Sequence, residues 1–304
     1  MYDIIIIGGG PAGLTAAVYA KRASKSVLIL EKETAGGQIT LSPLVENIPG
    51  FASISGTDFA DKLLDQALSN GAEMDLGEAV SIEDQGDFKT VRTDMGEEYQ
   101  AKAVIVATGA AHRHLGLPGE DVFIGNGISF CAVCDGAFYK GKTVALVGGG
   151  NSALVEAVML ADLVEKLYIL QDLPFLTGEQ KMQDRLKAKD NVEILTGVKV
   201  TGFIGENELK GVTIEQNGNA KELYVDGLFV AIGTVPQNNN FADLLELDGR
   251  GYAVASDNVC TKTPGIFVAG DCRVKKIRQV ATAASDGAEA ALAAVAYIDN
   301  MKNP

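Results

Sequence analysis

The chain has 304 residues, 47% hydrophobic and 22% charged, with a formal net charge of -14. That length suits two domains and the composition is ordinary for a globular protein, while the acidic balance argues against nucleic acid and anionic membranes as partners. No stretch approaches the roughly 18 consecutive apolar residues of a membrane-spanning helix.

Residues 2–7 (YDIIII) are apolar and mostly β-branched, as in a strand buried on both faces. The opening carries no basic flank and no cleavage site, so it reads as that strand and not as a signal peptide. With a Cys-x-x-Cys downstream, the expected compartment is the cytoplasm. Gly8-x-Gly10-x-x-Gly13 follows at once, then an alanine-rich helical pattern from Leu14 to Arg22 and a second strand from Val27 that ends at Glu31. This is a complete βαβ dinucleotide fingerprint. The glycines let the backbone turn and approach a pyrophosphate at a helix N-terminus, and the acid meets a ribose hydroxyl.

The segment from Glu31 to Gly50 has no clear period and carries Gly36-Gly37-Gln38, Asn47 and Pro49-Gly50. A loop of that length usually binds something. A helix is predicted from about Asp58 to Ser69, then short strands with turns at Gly86 and Gly96. A buried strand, Ala103 to Ala107, ends in Thr108-Gly109. His112 and His114 lack a third ligand and make a poor metal site; they read as hinge or docking residues.

Cys131-Ala132-Val133-Cys134-Asp135 is a dithiol/disulfide switch with a proton-carrying group beside it. The thiolate is the reactive form, and a neighbouring carboxyl can protonate a departing sulfur. The first pattern then repeats. A strand from Lys142 to Val147 leads to Gly148-x-Gly150-x-x-Ala153, a helix from Ser152 to Leu163, and a strand from Lys166 to Leu170 with Asp172 beyond it. VIVATG at 104–109 is echoed by LFVAIG at 228–233. The repeat predicts an α/β fold with two dinucleotide-binding, Rossmann-like three-layer domains. Turns are expected at Gly205 and Gly218, with Asn207 and Asn217 in support. Residues 234–240 read as a crossover, 265–269 as a strand, and 279–298 as a helix led by Gly270-Asp271. The C-terminal piece then returns to the first domain, which gives a first domain of 1–111 and 241–304 and an inserted domain of 112–240. Cys260 and Cys272, 12 apart, are expected to be buried thiols outside any disulfide.

Taken together, the sequence resembles the low-molecular-weight thioredoxin reductases. The motifs span nearly the whole chain: GGGPAG at 8–13, GGQ at 36–38, ENIPG at 46–50, ATG at 107–109, CAVCDG at 131–136, GGGNSA at 148–153, AGD at 269–271 and RQ at 278–279. The resemblance implies a homodimer with one noncovalent FAD per subunit in the discontinuous domain. It implies FAD contacts from Gly8, Gly10, Gly13, Glu31, Gln38, Asn47, Thr108, Gly109, Gly270, Asp271, Arg278 and Gln279. Cys134 would face the flavin, Cys131 would exchange with thioredoxin, and Asp135 would supply the proton. The inserted domain would rotate so that the cysteines alternate between the two.

One motif of that family is missing. Its members hold the 2′-phosphate of NADPH with HRRxxxR after the second-repeat strand, because a phosphate needs cations and arginine meets it with a paired fork. The matching residues here are Gln171-Asp172-Leu173-Pro174-Phe175-Leu176-Thr177. NADPH is therefore not expected. The favoured reading is the ferredoxin-dependent flavin branch of the family, with the basic run Arg273 to Arg278 as a guide for an acidic donor. The alternatives are NADH bound through Asp172, and a redox sensor that keeps the flavin and the disulfide.

Overall fold

The computed structural model describes residues 1–42, 44–255 and 259–301. The chain divides into two compact units. One takes the described residues of 1–43, 47–111 and 235–304, the other those of 44–46 and 112–234. The second unit is thus an insertion in the first. The return crossing falls at Val235, earlier than the 240/241 boundary read from the sequence. The reason is Asn238, which is fully buried in the first unit and donates its amide to the carbonyls of Gly251 (2.9 Å) and Cys272 (2.7 Å). Phe241 joins the first unit's core as well.

The first unit opens with β1 (Tyr2–Ile7), α1 (Pro11–Arg22) and β2 (Val27–Glu31), continues through α2 (Gly56–Ser69), β3 (Glu73–Leu76), β4 (Ala79–Asp84), β5 (Lys89–Thr93) and β6 (Glu98–Val106), and leaves by β7 (Ala110–His112). The helix before β3 starts two residues ahead of the predicted Asp58, because the Ser55 hydroxyl caps it by accepting the Asp58 N–H. β1 lies between β2 and β6, parallel to both, and Ile4, Ile5 and Ile6 are fully buried. Burying each contributes about 1.5–3 kcal/mol.

The inserted unit runs through α3 (Glu120–Phe123), β8 (Ile128–Ser129), α4 (Ala132–Asp135), β9 (Thr143–Val147), α5 (Asn151–Ala161), β10 (Lys166–Gln171), α6 (Gln180–Lys187) and β11 (Val192–Thr196). A meander of β12 (Val198–Gly205), β13 (Leu209–Gln216) and β14 (Asn219–Tyr224) follows, then β15 (Gly227–Val230). Its main sheet is parallel, in the order β11-β10-β9-β15-β8. The chain returns by β16 (Thr234–Pro236) and ends in β17 (Ile266–Val268), parallel to β6, and α7 (Val280–Met301). Alanines 12, 16, 17 and 20 of α1 share one core cluster with alanines 283, 290, 291 and 294 of α7. Small side chains let these helices approach closely on one sheet face. Both units have the Rossmann-type α/β architecture expected of the repeat. Among the described residues no helix is long and apolar enough to cross a membrane.

Candidate active site

The first glycine turn is built by close approach. A Cβ on Gly13 would lie 1.9 Å from the Gly8 carbonyl oxygen, so only glycine lets α1 start this close to the end of β1. Glu31 at the tip of β2 is buried; one oxygen accepts the Gly9 N–H at 2.6 Å and the other the Glu33 N–H at 3.0 Å. Beside it lies a cavity of about 180 Å³ bounded by Gly8, Glu31, Thr108, Gln237, Asn239 and Phe241, among others. Thr108 donates to Asn238 at 3.3 Å, and Gly109 turns the chain at φ +68°. Gln38 is exposed. Asn47 donates to Gln279 at 3.2 Å.

Beside the same glycine turn, where a Cβ on Gly270 would lie 2.9 Å from Ala12 Cβ, Gly270 donates its N–H to Asp286 at 3.0 Å. Asp271 is different. Its Oδ1 is buried without a hydrogen bond, with the Lys275 Nζ 4.0 Å away, and burial pushes its carboxyl up despite Lys275 and Arg278. A buried acceptor without a hydrogen bond can take one from a donor on a bound group. The cleared glycine turn, the buried acid at the tip of β2 and this oxygen all fit FAD: a diphosphate at the turn, a ribose at Glu31, a hydroxyl at Asp271.

The basic run beside it does not form a docking patch. Arg273 (2.9 Å) and Lys275 (2.9 Å) both bind the buried Asp286, and Lys275 is only 8% exposed in its side chain. Arg278 donates to the carbonyls of Asp271, Arg273 and Lys275 and stacks over Tyr252 at 4.3 Å. These contacts draw the cations inward, so Lys276 is the one exposed cation of the run.

In the second unit, Cys131 and Cys134 form a disulfide with Cα atoms 5.3 Å apart. Cys131 is the N-cap of α4, and its Sγ accepts the Cys134 N–H at 3.2 Å. Ser129 was not singled out in the sequence, yet it ties the site together: its Oγ donates to Asp135 at 2.6 Å and accepts the Cys131 N–H at 3.1 Å. The other Asp135 oxygen is buried without a partner. Burial pushes the Asp135 carboxyl up, opposed by the Ser129 hydrogen bond, so the acid holds its proton to higher pH than an exposed aspartate. His112 and His114 flank Phe130, the neighbour of Cys131, with ring centroids 5.1 and 5.0 Å away. Cys272 is fully buried, whereas Cys260, expected to be buried, is only partly so.

The second glycine turn corrects one reading. Strand register pairs Ile7 with Leu30 in the first unit and Val147 with Leu170 in the second. The residue that corresponds to Glu31 is therefore Gln171, not Asp172. Gln171 is buried and neutral, while Asp172 is exposed. Gln171 fills the space over Gly149: a Cβ there would meet its Cδ at 2.8 Å and Leu176 Cδ2 at 2.9 Å. Thr177 and Gly178 donate to the Gly149 carbonyl at 2.9 Å each, and Phe175 is 60% exposed. No Lys or Arg occurs between 171 and 180.

These paired Rossmann units with a Cys-x-x-Cys disulfide have close counterparts among known proteins. The family model for pyridine nucleotide-disulphide oxidoreductases matches residues 2–287. The thioredoxin reductase of Listeria monocytogenes is 41% identical over 305 residues, spanning 99% of this chain and 95% of its own. A 34.2 kDa protein of the rubredoxin operon of Clostridium pasteurianum is 42% identical over 299 residues, 97% of each chain. The crystal structure of thioredoxin reductase from Streptococcus pyogenes superposes with a TM-score of 0.94 at 38% identity over 99% of both chains. The chain belongs to the pyridine nucleotide-disulphide oxidoreductases and, within them, to the low-molecular-weight thioredoxin reductases, which are flavin disulfide reductases.

Proposed function

We propose that this chain is a thioredoxin-disulfide reductase in which the Cys131–Cys134 pair takes two electrons and passes them to thioredoxin. The observation that carries the reading is the disulfide next to a half-buried Asp135 held by Ser129 at 2.6 Å. FAD, in the first unit, would supply the two-electron carrier. Gly8, Gly10, Gly13, Glu31, Gln38, Asn47, Thr108, Gly109, Gly270, Asp271 and Gln279 are the residues proposed to hold it. Arg278 is proposed to shape that site through the carbonyls it binds.

As the S–S bond breaks, Asp135 protonates one sulfur. Cys131, as the thiolate, attacks the thioredoxin disulfide and forms a mixed disulfide. Cys134 then attacks the Cys131 sulfur, re-forms the internal bond and releases thioredoxin with both its cysteines reduced.

The proposed donor is ferredoxin, not NADPH. A 2′-phosphate has no cation to meet between residues 171 and 180, and the loop shows Leu173 and Phe175 to solvent. A nicotinamide donor is the second reading, favoured by the Gly148 to Gly150 turn ahead of α5; an NADH version loses the acid it relied on, because Gln171 stands in that place. The homodimer and the cytoplasmic location are proposed from the resemblance. The test is anaerobic mixing of the yellow protein with reduced ferredoxin, NADH or NADPH while flavin absorbance and thioredoxin thiols are followed. Bleaching by ferredoxin with thioredoxin reduction is expected. Rapid bleaching by NADPH would overturn the donor, and bleaching without thioredoxin thiols would point to the sensor.

A further inference from the structure

A second carboxyl group, remote in sequence from Asp135, reaches the disulfide. Glu156 is the one ionisable residue of α5, and its Oε2 accepts the backbone N–H of Ala132 at 3.2 Å. That N–H belongs to the peptide bond leaving Cys131. We propose that Glu156 is a positioning residue that holds this peptide and takes up a proton when the disulfide is reduced. The inference rests on the reading of Cys131–Cys134 as the redox centre.

The argument is one of charge. Reducing the disulfide breaks one S–S bond with two electrons, and one proton from Asp135 leaves one thiol, one thiolate and the Asp135 carboxylate, two new negative charges in all. A new anion one peptide away raises the affinity of a carboxylate for a proton unless a cation compensates it. None does here. Among the described residues Glu156 makes no ion pair. On the elements packed against α5, β9 carries no charged residue, and Lys166 of β10 pairs with Glu193 at 3.0 Å. On α6, Arg185 lies near Asp162, while Lys181, Asp184 and Lys187 are exposed. On the CxxC side stand Asp135 and Tyr139, which add no positive charge. Burial already pushes the Glu156 carboxyl up to about 7 in the oxidised form, with the Ala132 N–H acting the other way. The proton comes from solvent and returns to it when the disulfide re-forms on thioredoxin.

The test is a redox titration of the Cys131–Cys134 pair in the flavin-loaded enzyme, in thiol/disulfide buffers across neutral pH, read by alkylation and mass spectrometry. The wild type should show a segment above about pH 7 in which the midpoint falls by an extra 30 mV or so per pH unit, the tenfold-per-proton value of a two-electron couple. Glu156→Gln, of the same shape, should lose that segment. Val155→Ala, an exposed neighbour on the same helix, should leave the profile unchanged. Redox-difference infrared spectroscopy on the wild type should show a protonated-carboxyl band gained on reduction. An unchanged profile in Glu156→Gln, the same change in Val155→Ala, or no such band would overturn the inference. A pair that cannot be reduced to a dithiol at all would instead overturn the reading beneath it.

Discussion

At the scale of single residues, the proposed chemistry rests on Asp135. Burial raises its carboxyl, and the acid form is the useful one because it delivers the proton. Thioredoxin reduction should therefore decline as pH rises through that raised value. Asp135→Asn should lower kcat by about 10²–10⁴-fold, the usual contribution of a positioned acid, and flatten the decline; a full-rate variant with the wild-type pH profile would remove Asp135 from the mechanism. Cys131, Cys134 and Asp135 were legible in the sequence because they are adjacent and carry their own chemistry. Ser129 and Glu156 were not. Ser129 matters through two hydrogen bonds that only the turn into α4 creates. Glu156 had one signal, a lone acid in the apolar run ALVEAVMLA, which spacing alone does not connect to Cys131.

At the scale of elements, both glycine turns and most strands follow from period and turn residues. Two errors were failures of register and partnering. Counted from the glycines, Asp172 stands at the ribose position, but strand pairing puts Gln171 where Glu31 stands. The basic run looked like a surface because its partner, Asp286, is distant in sequence on α7. Burial pushes the Asp286 carboxyl up, yet its hydrogen bonds to Arg273 and Lys275 outweigh this and hold it below its ordinary value. Asp286→Ala leaves Arg273 without its carboxylate and Lys275 with only Asp271 at 4.0 Å, and should cost about 3–5 kcal/mol, read as a fall in Tm. Because the folded value is depressed, this stabilisation is present above the unfolded pKa and lost as pH falls through the folded one. A Tm gap between wild type and variant that does not shrink in acid would contradict it. Gly13→Ala, which puts a methyl 1.9 Å from the Gly8 oxygen, should abolish flavin retention, measured as the absorbance left after gel filtration. A variant that stays yellow would show that the turn can relax.

At the scale of the whole molecule, the internal repeat made the nested architecture readable, since two fingerprints 140 residues apart demand two sheets. The boundary shifted because Asn238, one polar residue among several, is anchored by carbonyls from Gly251 and Cys272. The central claim is that electrons leave through Cys131. The direct measurement is a single turnover: the flavin-loaded enzyme is reduced without oxygen, freed of excess reductant, and mixed with oxidised thioredoxin. The wild type should yield thioredoxin thiols in proportion to the enzyme, and Cys131→Ser should yield none while its flavin is reduced as in the wild type. Thioredoxin thiols from Cys131→Ser at the wild-type yield would contradict the account.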